Sequence, residues 1–258
     1  MSVLLDVKEI TKSFKLKGYW YHKRKFTALS PVSFTVEAKK TLAIVGETGS
    51  GKSTLAKILV GAETSTTGKV FLNGQLLQSQ RFKQRCQHIR MIFQDSGTTL
   101  NPSLTIQELL DEPLILNTEL NEKQRHQLIR TTLQKVGLLG DHMSFYPHMF
   151  SGGQKQRISL ARAIILQPQV IILDEALAAL DPSLRSQMIN LLLDLQHQMG
   201  LAYILISHNL GIVRHFSDDV MVMSHGEVVE SGKTIEVMRN PQHKVTQKLM
   251  MSQNIQLK

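Results

Sequence analysis

From Thr41 to Ala62 the chain reads TLAIV, GETGSGKST and LAKILVGA in immediate succession: an apolar run, a glycine-rich loop and a helical pattern. This order restricts the fold more than any other stretch. A run that is apolar at every position has to be buried on both faces, which a strand achieves inside a parallel sheet covered by helices. The loop fits the phosphate-binding pattern G-x-x-x-x-G-K-[ST] from Gly46 to Ser53. Gly46, Gly49 and Gly51 lack a Cβ, so the backbone can turn tightly and aim successive N–H groups at phosphate oxygens. Lys52 adds a point charge for β- and γ-phosphates, and the Ser53 hydroxyl suits Mg²⁺. Ser50 and Thr54, in the same loop, join the nucleotide-binding candidates. The helix that follows starts at the anion, where its dipole favours negative charge. This loop alone leaves kinases, GTPases and many ATPases open.

Two further stretches narrow the choice. In FSGGQKQR and the ISLARAIILQ that follows it, Ser151 is a favoured N-cap, Gly152 and Gly153 free the backbone, and Gln154, Arg157 and Arg162 continue into a helical pattern. In VIILDEA, the apolar run Val170–Leu173 reads as a buried parallel strand that delivers Asp174 and Glu175. Adjacent acids at a strand end point in different directions, so one can hold Mg²⁺ through water while the other reaches an attacking water.

With these three stretches the chain resembles the ATP-binding cassette (ABC) family, whose signature is LSGGQ; Phe150 stands for the usual Leu. The resemblance implies an α/β P-loop ATPase core of ABC type, with an antiparallel β subdomain and an inserted α-helical subdomain. It implies ATP hydrolysis with Mg²⁺, in which Asp174 is the Walker B aspartate and Glu175 the general base. Ser151, Gly152, Gly153 and Gln154 would close on the γ-phosphate held by the other subunit of a head-to-tail dimer. Gln94 matches the Q-loop glutamine that senses Mg²⁺ and the γ-phosphate, His208 the switch histidine, and Asp181 the D-loop aspartate that crosses the dimer interface. Phe14 stands where the family places an aromatic on adenine, although a phenylalanine in a strand is also ordinary core. The usual DEPTSALD reads DEALAALD here, and Asn209 replaces the common Asp after the histidine; neither change touches phosphate transfer.

At 258 residues and 42% hydrophobic, the chain can bury a large core within one domain. The expected organisation is a single ABC ATPase domain, 1–258: core with β subdomain at 1–95 and 166–235, helical signature subdomain at 96–165, short helical extension at 236–258. No run approaches the roughly 18 apolar residues of a membrane span, and the first residues lack a signal peptide's apolar core. The expected location is therefore cytoplasmic, peripheral on the inner face of the cell membrane. The single cysteine, Cys86, excludes an intramolecular disulfide. One P-loop and one signature make half of each of two sites, so a second cassette, identical or different, is an expected partner. Strands are expected at Leu4–Ile10, Val32–Val36, Thr41–Val45, Lys69–Leu72, Ile89–Gln94, Val170–Leu173, Ala202–Ser207, Val220–Ser224 and Val228–Ser231, with hairpin turns at Asn73-Gly74 and His225-Gly226. Leu128, Ile129, Leu133 and Val136 form one helical stripe, and Met188, Leu191, Leu192, Leu195 and Met199 another, both read as core.

The formal net charge is +9. The densest basic stretch runs from Lys15 to Lys25 around Tyr19, Trp20 and Tyr21. It reads as an exposed hairpin extension, as a contact with anionic lipid head groups, or, third, as a surface for base stacking. FQDSGTTLNPSLTI and YPHMFSGGQKQR resemble the dipeptide and oligopeptide importer branch, and the DEALA departure is shared with Sap-type peptide transporters. The branch implies peptide import, including cationic antimicrobial peptides, and docking on integral membrane permease subunits near the apolar segment Leu100, Leu104, Ile106, Leu109 and Leu110. Two rival classes are a soluble cassette ATPase acting on nucleic acid or ribosomes and a non-hydrolysing scaffold of a heterodimeric transporter. The first would normally carry two cassettes or a long insertion; intact Lys52, Glu175 and His208 argue against the second.

Overall fold

The computed structural model describes residues 3–16, 24–78, 82–93, 100–178 and 180–253. They divide into two compact units, residues 1–85 with 202–258 and residues 86–201. The first unit opens with β1 (Val3–Leu16), β2 (Arg24–Glu37), β3 (Thr41–Val45), α1 (Lys52–Val60), β4 (Thr67–Leu72) and β5 (Gln75–Leu76), followed by the short α2 (Phe82–His88). The second holds β6 (Ile89–Ile92), α3 (Ile106–Asn117), α4 (Glu122–Lys135), α5 (Gly152–Ile164), β7 (Val170–Asp174) and α6 (Pro182–Met199). The chain then returns to the first unit with β8 (Ala202–Ile206), α7 (Leu210–Phe216), β9 (Asp219–Ser224), β10 (Glu227–Lys233), α8 (Thr234–Arg239) and α9 (Lys244–Ser252).

In the first unit, β2, β1, β4 and β5 form an antiparallel sheet in that order, and β10, β9, β3 and β8 lie side by side in a second. β3 runs parallel to both β8 and β9, and every residue of TLAIV is buried, as its apolar run requires. Asp218 fastens its start: one carboxylate oxygen accepts from the Thr41 N–H at 2.8 Å, and the other pairs with Lys40 Nζ at 2.7 Å. That hydrogen bond raises the Lys40 pKa above its ordinary value. Both hairpin turns form where expected. Asn73 and Gly74 (φ 49° and 75°) join β4 to β5, and His225 and Gly226 (φ 48° and 83°) join β9 to β10, with both central residues left-handed as a type I′ turn demands. β1 and β2 run well beyond the expected limits, because they pair with each other from Val3↔Glu37 to Leu16↔Arg24 through several bulges. Polar positions in those extensions hide the strand from a hydrophobicity pattern. Most of the basic aromatic stretch, residues 17–23, lies outside the described residues.

In the second unit β6 and β7 pair in parallel, Ile89↔Val170 to Ile92↔Leu173. Three helices start with reciprocal capping boxes, Thr105 with Glu108, Asn121 with Gln124 and Ser151 with Gln154. Each satisfies two orphan amides, and the N-cap alone contributes about 1 kcal/mol. α4 buries Ile129, Thr132 and Leu133, while Leu128 is half-buried. Thr132 can occupy the core stripe because its hydroxyl donates to the Leu128 carbonyl at 2.7 Å, leaving only the methyl to pack. On α6, Met188, Leu192 and Leu195 are core as expected, Leu191 and Met199 are half-buried, and Gln196 is buried among them. No described helix is long and apolar enough to cross a membrane.

Candidate functional site

In the first unit the buried strand β3 ends at Gly46, and the loop from Gly46 to Ser53 turns into α1. Gly46, Gly49 and Gly51 have φ of 150°, 84° and 101°, which side-chain-bearing residues rarely adopt. Gly51 is the N-cap of α1 and no side chain caps that terminus, so the first-turn amides are left for a ligand. Lys52 is only 8% exposed and its Nζ donates to the carbonyls of Gly46 and Glu47, both at 2.8 Å, and to Ser50 Oγ at 3.1 Å. The ammonium is thus held inside the turn by its carbonyl and hydroxyl oxygens. Ser53 is exposed and Thr54 half-buried on the first turn.

The loop is clamped from two sides. Gly226 N–H donates to the Ser50 carbonyl at 3.1 Å, and a Cβ on Gly51 would lie 2.7 Å from Leu29 Cδ2 and 2.8 Å from the Ala28 carbonyl oxygen. Ala28 and Gly226 therefore shape the cradle, although the sequence marks Gly226 only as a turn residue and Ala28 not at all. Such close approaches join segments far apart in the chain and leave no local pattern.

Phe14 lies on β1 opposite Phe26 of β2. It is half-buried, so it is not core, and Lys12 Nζ sits 4.8 Å from its ring centroid. Lys12 is held there by Glu63 Oε1 and the Thr64 carbonyl, both at 2.6 Å. A base stacking on Phe14 would gain about 1–3 kcal/mol, which is roughly 5- to 150-fold in affinity. Phe14→Ala is accordingly expected to raise the ATP dissociation constant within that range, measured by equilibrium titration. An unchanged constant would leave Phe14 a packing residue. His208 follows β8 and is exposed, and Asn209 caps α7 by accepting from the Ile212 N–H at 3.1 Å, which an Asp would also do. Gln94 lies outside the described residues.

In the second unit β7 carries Asp174 at its end, with Glu175 next; both are half-buried. Glu175 has φ 53°, a left-handed conformation that costs a non-glycine residue about 1–2 kcal/mol, and its carbonyl accepts from the Ala178 N–H at 3.1 Å. The turn places two successive carboxylates at a strand end, with Glu175 Oε2 buried. Ala176 and Leu177 are buried and line one small apolar pocket with Ile92, Leu160, Leu173, Met188 and Leu192, which explains why apolar residues stand at these positions. Ser151 caps α5: its Oγ accepts from Gln154 N–H at 3.3 Å and its N–H donates to Gln154 Oε1 at 3.0 Å. Ser151 and Gly152 remain exposed, and a Cβ on Gly152 would meet nothing within 4 Å, whereas one on Gly153 would press on Leu184 at 3.0 Å. Asp181 is the N-cap of α6, accepting from Leu184 N–H at 2.9 Å. Arg157, by contrast, is tied down as structure, donating to the Val136 carbonyl at 2.9 Å near the end of α4.

A family described as ABC transporter matches residues 29–178. The chain is 49% identical over 250 residues to the peptide transport system ATP-binding protein SapF of Salmonella typhimurium, covering 97% of this chain and 93% of that protein. Identity and coverage are the same for the Escherichia coli K12 protein named putrescine export system ATP-binding protein SapF. The dipeptide transport ATP-binding protein DppF of E. coli K12 is 44% identical over 251 residues, 96% of this chain and 75% of that protein. Among solved structures, cbiO1 of Clostridium perfringens, part of the ABC transporter complex cbiONQ, superposes with a TM-score of 0.77 at 25% identity, covering 98% of this chain and 99% of that one. The dimeric post-hydrolysis state of the cassette MJ0796, bound to ADP and Pi, gives 0.75 at 26% identity, with 90% and 99% covered.

Proposed function

This chain belongs to the ABC transporter family, and from that premise we propose that it is the ATP-hydrolysing subunit that energises a membrane peptide transporter. The observation that carries the ATPase reading is the cradle of the first unit: an uncapped helix start beside a buried Lys52 pre-positioned by main-chain oxygens. Lys52 and the amides of Gly46, Gly49, Ser50, Gly51 and Thr54 bind and orient the phosphates. Glu175 takes the proton of the attacking water and His208 stabilises charge developing on the γ-phosphate. Ser53, Asp174 and Gln94 are oxygen donors suited to Mg²⁺, which binds through few protein groups plus phosphates and waters and would supply charge neutralisation. Ser151, Gly152, Gly153, Gln154 and Asp181 serve the nucleotide of a second cassette. Magnesium-dependent release of phosphate from ATP by the purified chain tests this reading, and its absence with every partner present would overturn it.

The transport reading rests on the relatives' names, and those names offer two cargoes. Peptide import is the first reading. Export of a small polyamine is the second, because a relative at the same 49% identity is named for putrescine export. Uptake of labelled peptides and efflux of labelled putrescine, compared in cells with and without the chain, separate them.

A transporter ATPase of this kind sits on the inner face of the cell membrane against permease subunits. Of the apolar residues after Gln94, Leu100, Ile106, Leu109 and Leu110 are core and only Leu104 is half-buried. Leu104→Glu is therefore expected to reduce co-purification with a polytopic membrane protein several-fold while leaving ATP binding intact. Recovery of the chain only with nucleic acid or ribosomes would remove the transport reading and leave the ATPase standing.

A further inference from the structure

The last helix of the chain reaches the loop that carries His208. Gln253, which caps the C-terminal end of α9, presents both halves of its side-chain amide to that loop. Its Nε2 donates to the His208 carbonyl, and its Oε1 accepts from the Leu210 N–H at 2.8 Å. Between these two contacts the Asn209 N–H donates to Ser207 Oγ at 3.0 Å. Three consecutive residues after β8 are thus pinned through their main chain, and the outer two are gripped by one side chain 45 and 43 residues away. The same helix touches the phosphate loop, where Lys248 Nζ pairs with Glu47 Oε1 at 2.8 Å. That pair is largely exposed and therefore weak, so the amide clamp is the stronger link.

An exposed imidazole on a free loop samples many positions, and only those near the transferring phosphate help. Fixing its main chain removes that search before the reaction starts. A glutamine suits the task because its uncharged amide brings a donor and an acceptor at once to a carbonyl and an N–H. We propose that Gln253 is a positioning residue of ATP hydrolysis, acting through the main chain of the His208 loop. The proposal rests on the reading of His208 as the γ-phosphate histidine.

The test replaces Gln253 with Met in the full chain, keeping side-chain length and removing both hydrogen bonds. The expected result is a fall in kcat of about tenfold with the KM for ATP within about twofold. Combined with His208→Ala, Gln253→Met is expected to add no further loss, measured in single turnovers, because both changes remove the same device. Lys248→Met should alter kcat by less than about twofold. An unchanged kcat in Gln253→Met, a drop confined to thermal stability, or losses that multiply in the double variant would each overturn the proposal. Wild-type turnover in His208→Ala would instead remove the switch-histidine reading, and with it the route through which Gln253 acts.

Discussion

Glu175→Gln is expected to lower ATP turnover by about 10²- to 10⁴-fold while the dissociation constant for ATP stays within a few-fold. The exchange keeps shape and removes the proton acceptor, whereas the groups proposed to bind phosphate, Lys52 and the loop amides, are untouched. The variant should also accumulate as an ATP-bound dimer, visible by gel filtration, because nucleotide that is not hydrolysed goes on holding two cassettes together. The left-handed backbone at Glu175 supplies an internal control. Glu175→Gly relieves that strain, so it should lose activity at least as completely while stability is retained or rises by up to about 1 kcal/mol. Hydrolysis at the wild-type rate by Glu175→Gln would show that another group is the base.

Gly46→Ala is expected to abolish nucleotide binding and to destabilise the chain by about 3 kcal/mol or more. The added Cβ would lie 2.1 Å from the Met223 carbonyl oxygen and 2.9 Å from Ser50 Oγ, at a φ of 150°. The Met223 carbonyl belongs to a buried strand that pairs with β3 and β10, so it cannot yield as a flexible side chain would. Gly49→Ala is the contrast. Nothing lies within 4 Å of its Cβ position, so it bears only the cost of its φ of 84°, about 1–2 kcal/mol. Thermal unfolding and ATP titration of the two variants measure the difference. Equal losses would mean that conformational strain, and not the collision with β9, sets the requirement for glycine at position 46.

The elements legible in the sequence are those whose cause is local. The buried strand before Gly46, the loop glycines, the two type I′ turns and the N-cap at Ser151 each follow from residues within a few positions of one another. The nearness of Asp174 to Glu175 is legible for the same reason. Periodicity identified α4 and α6 but misjudged single positions, placing Leu128, Leu191 and Met199 deeper than they lie and overlooking Thr132 and Gln196. A polar group enters a core when a particular partner satisfies it, and hydropathy does not record partners.

The sequence by itself determined the motifs: a glycine-rich loop at Gly46–Thr54 between a buried strand and a helix, two acids at the end of a strand, and a capped serine–glycine turn at Ser151. Motif residues act through their own backbone and neighbours, so their spacing is sufficient. Only the tertiary structure decided what holds those motifs in place. Ala28 and Gly226 close against Gly51, the Met223 carbonyl excludes a side chain at Gly46, and Gln253 grips the loop of His208. Each of these joins segments far apart in the chain, where contact depends on how strands and helices pack and not on any repeat or interval that the order of residues displays.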